Sequence, residues 1–288
     1  MKVNSAVLAR LLAVVALPAT LVPALTGAAA STPMIRYVAL GDSAAAGPLL
    51  PNQDTTSPGC LRSHLNYPSV LAAKLGATLT DVTCSSAKSQ NVTTTTQSTL
   101  AGSVPPQVDS LDAGVDLVTL TIGLNDLNLF TTALACVNPL PEPTGKSCRD
   151  KYVTNGVDTM RNAIDDWAPT WGRVLDTVRA RAPRAHIAVI GYGTYFRPGG
   201  CASQPLWPGD ADYLGSVVAT QNAALAAETQ RRGDQFIDIA TVSVGHDVCA
   251  PSDQAYYTGL IPNAIAVPLH PTTLGMQSIG EYAAQQLQ

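Results

Sequence analysis

Residues 35–47 read IRYVALGDSAAAG, and this stretch decides the fold. Residues 35–40 are mostly apolar and rich in strand formers, and they stop at Gly41. That pattern predicts a short buried strand. A loop of small residues follows at once. Four further segments have the same form: 78–83, 116–122 (DLVTLTI, ending at Gly123), 186–191 (HIAVIG) and 235–240. Longer segments between them read as helices. These are 67–75 with Pro68 in its first turn, 150–181 with Pro169 as an expected break, 211–232 stopped by Gly233, and 272–287. Strands that alternate with helices predict an α/β fold, a five-stranded parallel sheet with helices on both faces. Residues 92–103, 139–146 and 197–209 are expected as long loops. No repeat or linker divides the chain, so residues 31–288 are expected to form a single domain.

Composition narrows the function. Hydrophobic residues make up 46% of the 288 and charged residues 13%, enough apolar side chain for a core and too little charge for a disordered chain. The net charge is −4 and basic residues form no run, which argues against a nucleic-acid partner. Aromatics at 5% argue against a stacking platform for bases or sugars. Residues 1–30 have Lys2 and Arg10, then an apolar stretch, then Ala28, Ala29 and Ala30. This is the form of a signal peptide cleaved after Ala30, and Pro18 and Pro23 interrupt it before it could span a membrane. The expectation is a secreted chain with no stable membrane span. Its six cysteines, Cys60, Cys84, Cys136, Cys148, Cys201 and Cys249, then suggest three disulfides. Fifteen pairings are possible, and the sequential one is the simplest. No two cysteines have metal-site spacing, no histidine pair is spaced i, i+4, and no metal or other cofactor is expected.

In an open α/β sheet, chemistry sits beyond the carboxyl ends of the strands. The first such loop holds Ser43 among small residues that leave its hydroxyl open. The third holds Asn125 in Gly123-Leu124-Asn125-Asp126, where a side-chain amide could donate to an oxyanion. Near the end, Pro271 is set to open the last helix with His270 at its entrance. A serine needs an adjacent base to become a nucleophile, and histidine titrates in the useful range. Together these residues suggest acyl transfer. His64, His186 and His246 read as structural, with His186 packed. Asn91-Val92-Thr93 has the form of a glycosylation sequon. No G-x-S-x-G elbow is present.

The block Tyr37-Val38-Ala39-Leu40-Gly41-Asp42-Ser43, with Gly123-x-Asn125-Asp126 and His270-Pro271, resembles the SGNH/GDSL hydrolases, and in particular their secreted actinobacterial esterases and lipases. The likeness spans the exported chain and includes Asn66-Tyr67-Pro68. It implies a flavodoxin-like three-layer sandwich and sequential disulfides. It also implies Ser43 as nucleophile, His270 as base and Asn125 as an oxyanion donor beside the backbone N–H groups of Ser43 and Ser86. Two positions depart from the family pattern. Ser86 stands where a glycine is usual. Val267 stands where an aspartate often orients the histidine, so its main-chain carbonyl is the expected orienter, with Asp247 as the competing possibility. The expected partner is a small-molecule or lipid ester, met by a monomer. Two rival readings are a polysaccharide deacetylase on the same residues and an inactive module that binds an acyl chain or glycan.

Overall fold

β1 (Arg36–Gly41), β2 (Thr78–Asp81), β3 (Leu117–Thr121), β4 (His186–Ile190) and β5 (Gln235–Ile237) form one parallel sheet in the order β2-β1-β3-β4-β5. This is the flavodoxin-like order, whose switch point lies between β1 and β3. The computed structural model describes residues 34–288, so the segment expected as a signal peptide, with its cleavage after Ala30, lies outside the described residues.

Among the described residues, eight α-helices accompany the sheet: α1 (Ser43–Ala46), α2 (Tyr67–Leu75), α3 (Ser89–Thr93), α4 (Leu129–Ala135), α5 (Cys148–Tyr152), α6 (Thr159–Arg181), α7 (Pro208–Gln230) and α8 (Thr273–Gln286). Alternation along β1 assigns the two faces. Tyr37 and Ala39 pack with Leu71 of α2 and with Met276 and Ile279 of α8. Val38 and Leu40 pack with Ile164, Trp171 and Val174 of α6 and Leu214 and Val217 of α7. The result is a three-layer sandwich, and the central strands are apolar on both faces because both are covered. Residues 34–288 cluster as one compact unit.

Four local expectations change. Pro169 does not break its helix: α6 runs through it from Thr159 to Arg181. A proline inside a helix removes one hydrogen bond and costs about 3 kcal/mol. Here the apolar face of Ile164, Ala168, Trp171, Val174 and Leu175 is buried along the whole length, and that packing outweighs the loss. The helix also starts later than expected, because residues 148–158 fold separately as α5 and a two-stranded hairpin. Residues 92–103 are not all loop, since a second hairpin pairs Gln97 with Val104. His186 is exposed rather than packed, and its ring bonds the Gln235 side chain. The Asn91 side chain is buried and bonds the backbone at Lys88 and Thr95, so the sequon amide is engaged within the fold.

The cysteines pair in sequence: Cys60–Cys84, Cys136–Cys148 and Cys201–Cys249. The first joins the loop before α2 to the loop after β2, and both loops border the site below.

Candidate active site

The site is built on the loops leaving β1, β2 and β3. Gly41 ends β1 at φ +150°, and a Cβ there would lie 2.6 Å from the Thr121 carbonyl. Only glycine lets the chain turn there against β3. Asp42 then caps α1, accepting from the Ala44 N–H at 2.9 Å, and Ser43 is the first helical residue. The other Asp42 oxygen accepts from the Tyr192 hydroxyl at 2.7 Å. The same hydroxyl accepts from the Leu124 N–H at 3.3 Å, which links the β1 and β3 loops. Burial pushes the Asp42 carboxyl up to about 7, against the opposing effect of the hydrogen bonds it accepts from Tyr192 and Ala44.

His270 reaches this loop from far along the sequence. Its Nε2 lies 2.7 Å from Ser43 Oγ. Its Nδ1 lies 2.8 Å from the Pro268 carbonyl oxygen. A carbonyl can only accept, so Nδ1 carries the proton and Nε2 is left free to accept from serine. The edge of Phe130 packs against the ring, with centroids 5.7 Å apart. Burial lowers the histidine pKa, while the carbonyls of Pro268 and, to a lesser degree, Val267 raise it.

The expected orienter, the Val267 carbonyl, is therefore corrected. It accepts the backbone N–H of His270 at 3.0 Å, which closes a tight turn and leaves the next carbonyl, Pro268, facing the ring. Asp247 is committed elsewhere. It is fully buried, and both its oxygens accept from Arg197 Nε at 3.0 and 3.1 Å.

Ser86 and Asn125 border the same cavity as Ser43 and His270. The Asn125 amide donates one hydrogen to the Ala87 carbonyl at 3.0 Å. That bond holds the amide and leaves its second N–H available. Asp126 supports the loop by accepting from Ser89 N–H, Ser89 Oγ and Trp171 Nε1. Ser86 has φ +67°, the left-handed region where glycine fits without strain. A serine held there costs on the order of 1 kcal/mol. Ser86→Gly is accordingly expected to raise Tm by about 2–4 °C with ester turnover kept, as a thermal melt and an initial-rate assay on one preparation would show. A large loss of turnover would mean that the Ser86 hydroxyl has a role of its own.

The cavity holds about 240 Å³ and runs from Ser43 between α4 and α7. Leu129, Phe130 and Ala133 form one wall, and Leu214, Val217 and Val218 the other. These wall residues were not legible beforehand, because an apolar helix face that lines a cavity has the same pattern as one that packs in a core. His246 is structural: it stacks on Tyr256 with centroids 4.0 Å apart and bonds the Gln254 carbonyl. Among the described residues, no cluster of His, Cys, Asp or Glu could hold a metal ion.

The family model for GDSL-like lipases and acylhydrolases matches residues 39–278. Lipase 2 of Streptomyces coelicolor is 37% identical, over 96% of this chain and 95% of its own. The crystal structure of phospholipase A1 from Streptomyces albidoflavus superposes with a TM-score of 0.72 at 26% identity, covering 88% of this chain and 99% of that one. The extracellular lipase of Streptomyces rimosus gives 0.71 at 27%, with the same coverage. The fold, the loop positions of the site and these likenesses agree: the chain belongs to the GDSL-like lipase/acylhydrolase family and is an ester hydrolase.

Proposed function

We propose that the chain is an exported, monomeric carboxylic ester hydrolase that works by a Ser43–His270 dyad. The 2.7 Å contact between His270 Nε2 and Ser43 Oγ carries this reading. His270 takes the serine proton as Ser43 Oγ attacks the acyl carbonyl. The tetrahedral oxyanion is held by the free N–H of Asn125 and the backbone N–H groups of Ser43 and Ser86. The imidazolium then protonates the leaving alcohol. Water, deprotonated by the same ring, releases the acid and restores the serine. The Pro268 carbonyl keeps the ring in the productive tautomer throughout, doing with a dipole what a carboxylate does in a triad.

The cavity beyond Ser43 would take the acyl chain. Its walls offer leucine, valine and phenylalanine side chains and few partners for sugar hydroxyls, which favours a lipid or alkyl ester over an acetylated polysaccharide. The Ser–His contact disfavours an inactive binding module. Export is supported by the form of residues 1–30 and by the three disulfides. Among the described residues, no helix is long and apolar enough to cross a membrane.

A panel of p-nitrophenyl esters of rising chain length, run beside acetylated xylan, tests the substrate class. Turnover that rises from acetate toward a longer acyl chain is expected. Faster release of acetate from xylan than from any alkyl ester would replace this reading with deacetylation. Asn125→Ala tests the oxyanion hole. Loss of one such donor costs about 10²–10³ in kcat, and KM should change little. A drop confined to KM would move Asn125 from the transition state to substrate binding.

A further inference from the structure

Seven non-glycine residues among those described hold positive φ. Three are Asn52, Asn128 and Asn155, and asparagine tolerates that region. The other four are Leu49 (63°), Leu61 (50°), Ser86 (67°) and Leu269 (59°). Leu61, Ser86 and Leu269 line the catalytic cavity, and Leu49 follows Pro48, which also lines it. Among the described residues, these four strained positions therefore lie in or next to that one cavity.

Leu49 and Leu61 each stand where glycine is the usual choice. In the turn 47–50 the Leu50 N–H bonds the Gly47 carbonyl at 3.3 Å, and Pro48 occupies the second position. The third position of such a turn requires positive φ and normally takes glycine. Leu61 caps the short turn Pro58–Cys60 in the left-handed conformation, another common glycine position. Both side chains nevertheless face outward, Leu49 56% and Leu61 37% exposed. Folding gains little from Leu49, whose backbone is strained while more than half of its side chain stays in water, and Leu61 is strained with over a third of its surface still exposed.

Slack does not explain the outward pose. The two loops are bonded to each other through Asp54 N–H to Arg62 O (2.7 Å) and His64 N–H to Asn52 O (2.9 Å). A buried Arg62–Asp54 ion pair and the Cys60–Cys84 bridge fasten them further. Ile265, 74% exposed, stands two residues before Val267, another cavity-lining residue. No lysine or arginine lines the cavity, so it carries no full positive charge to draw in an anionic headgroup.

We propose that Leu49, Leu61 and Ile265 form an apolar collar that seats the mouth of the cavity on the hydrocarbon of an aggregated, electrically neutral lipid. This rests on reading the cavity as the acyl site. The collar continues that apolar cavity outward, so an acyl chain could pass from the aggregate to Ser43 without crossing water. Three side chains fall far short of the roughly 20–30 residues per partner in a stable protein interface, which disfavours a second copy as the occupant.

The test uses Leu49→Gly, which keeps the turn and removes only the apolar side chain. Partitioning onto phosphatidylcholine vesicles is measured by flotation, with Ser43→Ala in both proteins so that binding is read without turnover. The expected result is about a tenfold weaker partition coefficient, the scale for one leucine withdrawn from water. In the Ser43-containing pair, hydrolysis of an ester carried in those vesicles should fall in proportion. Turnover of soluble p-nitrophenyl acetate should be unchanged, and Tm should rise as strain is relieved. Leu49→Asn, which also accepts the left-handed conformation, should behave alike, and Ile265→Ser should weaken partitioning further. Unchanged partitioning would overturn the proposal. So would a parallel loss on soluble acetate, a clear preference for anionic vesicles, or a wild-type dimer that Leu49→Gly dissociates. Failure of the wild type to hydrolyse acetate would count against the Ser43–His270 reading, while the flotation result would still decide the collar.

Discussion

Ser43→Ala is expected to lower kcat/KM on a soluble p-nitrophenyl ester by at least about 10⁴-fold. The scale is that of removing the nucleophile from a serine hydrolase, where only substrate binding and the oxyanion hole remain. The fold should persist, because Ser43 Oγ bonds the His270 ring and makes no side-chain contribution to the cap of α1, which Asp42 supplies. Circular dichroism and a melting curve on the same protein check that point. An alanine variant that kept a tenth of the activity would place the nucleophile elsewhere.

His270→Ala should cost nearly as much, since among the described residues the His270 ring is the group that hydrogen-bonds Ser43 Oγ. The base should also set the pH dependence. Only neutral imidazole accepts a proton, so activity rises with pH through the histidine pKa. Burial lowers that pKa, and the Pro268 and Val267 carbonyls offset only part of the shift. The midpoint of the rising limb in kcat/KM should therefore lie below the unperturbed value of about 6.5. Asp42 is the second group in the site that titrates near neutrality, at about 7. An inflection there belongs to Asp42 and should vanish in Asp42→Asn, while the lower limb remains. Asp247→Asn should leave the limb in place, because its carboxylate pairs with Arg197 and not with the His270 ring. A midpoint above 7 in Asp42→Asn would contradict a base buried and oriented in this way.

Much of the sheet was legible because its central strands are apolar on both faces and end at a turn residue or a change of pattern. The loops after them were legible for the same reason, and with them Ser43 and Asn125, while His270 was read from Pro271 at the entrance of the last helix. What could not be read was of two kinds. One is where tertiary packing overrides a local rule, as at Pro169, where the buried face of α6 holds the helix through a proline. The other is where one residue must be told from its neighbour. Whether the Val267 or the Pro268 carbonyl faces the imidazole depends on a turn of four residues, and periodicity carries no signal at that scale. The walls of the cavity belong to the first kind. Leu214 and Val217 sit on an apolar face of α7, and only the gap between α7 and α4 distinguishes lining from core.

Ser86 was partly legible. A serine in a glycine position raises the question of positive φ, and the structure answers it at +67°. Leu49 and Leu61 raised no such question, because a leucine in a turn does not announce its backbone conformation.

The Ser43–His270 dyad is tested most directly by a fluorophosphonate probe, which reacts only with an activated serine, followed by peptide mapping of the labelled protein. The account predicts a single adduct on the peptide that contains Ser43, formed in the wild type and in Asp247→Asn, and lost in His270→Ala. An adduct on any other residue, or undiminished labelling of Ser43 without His270, would contradict it.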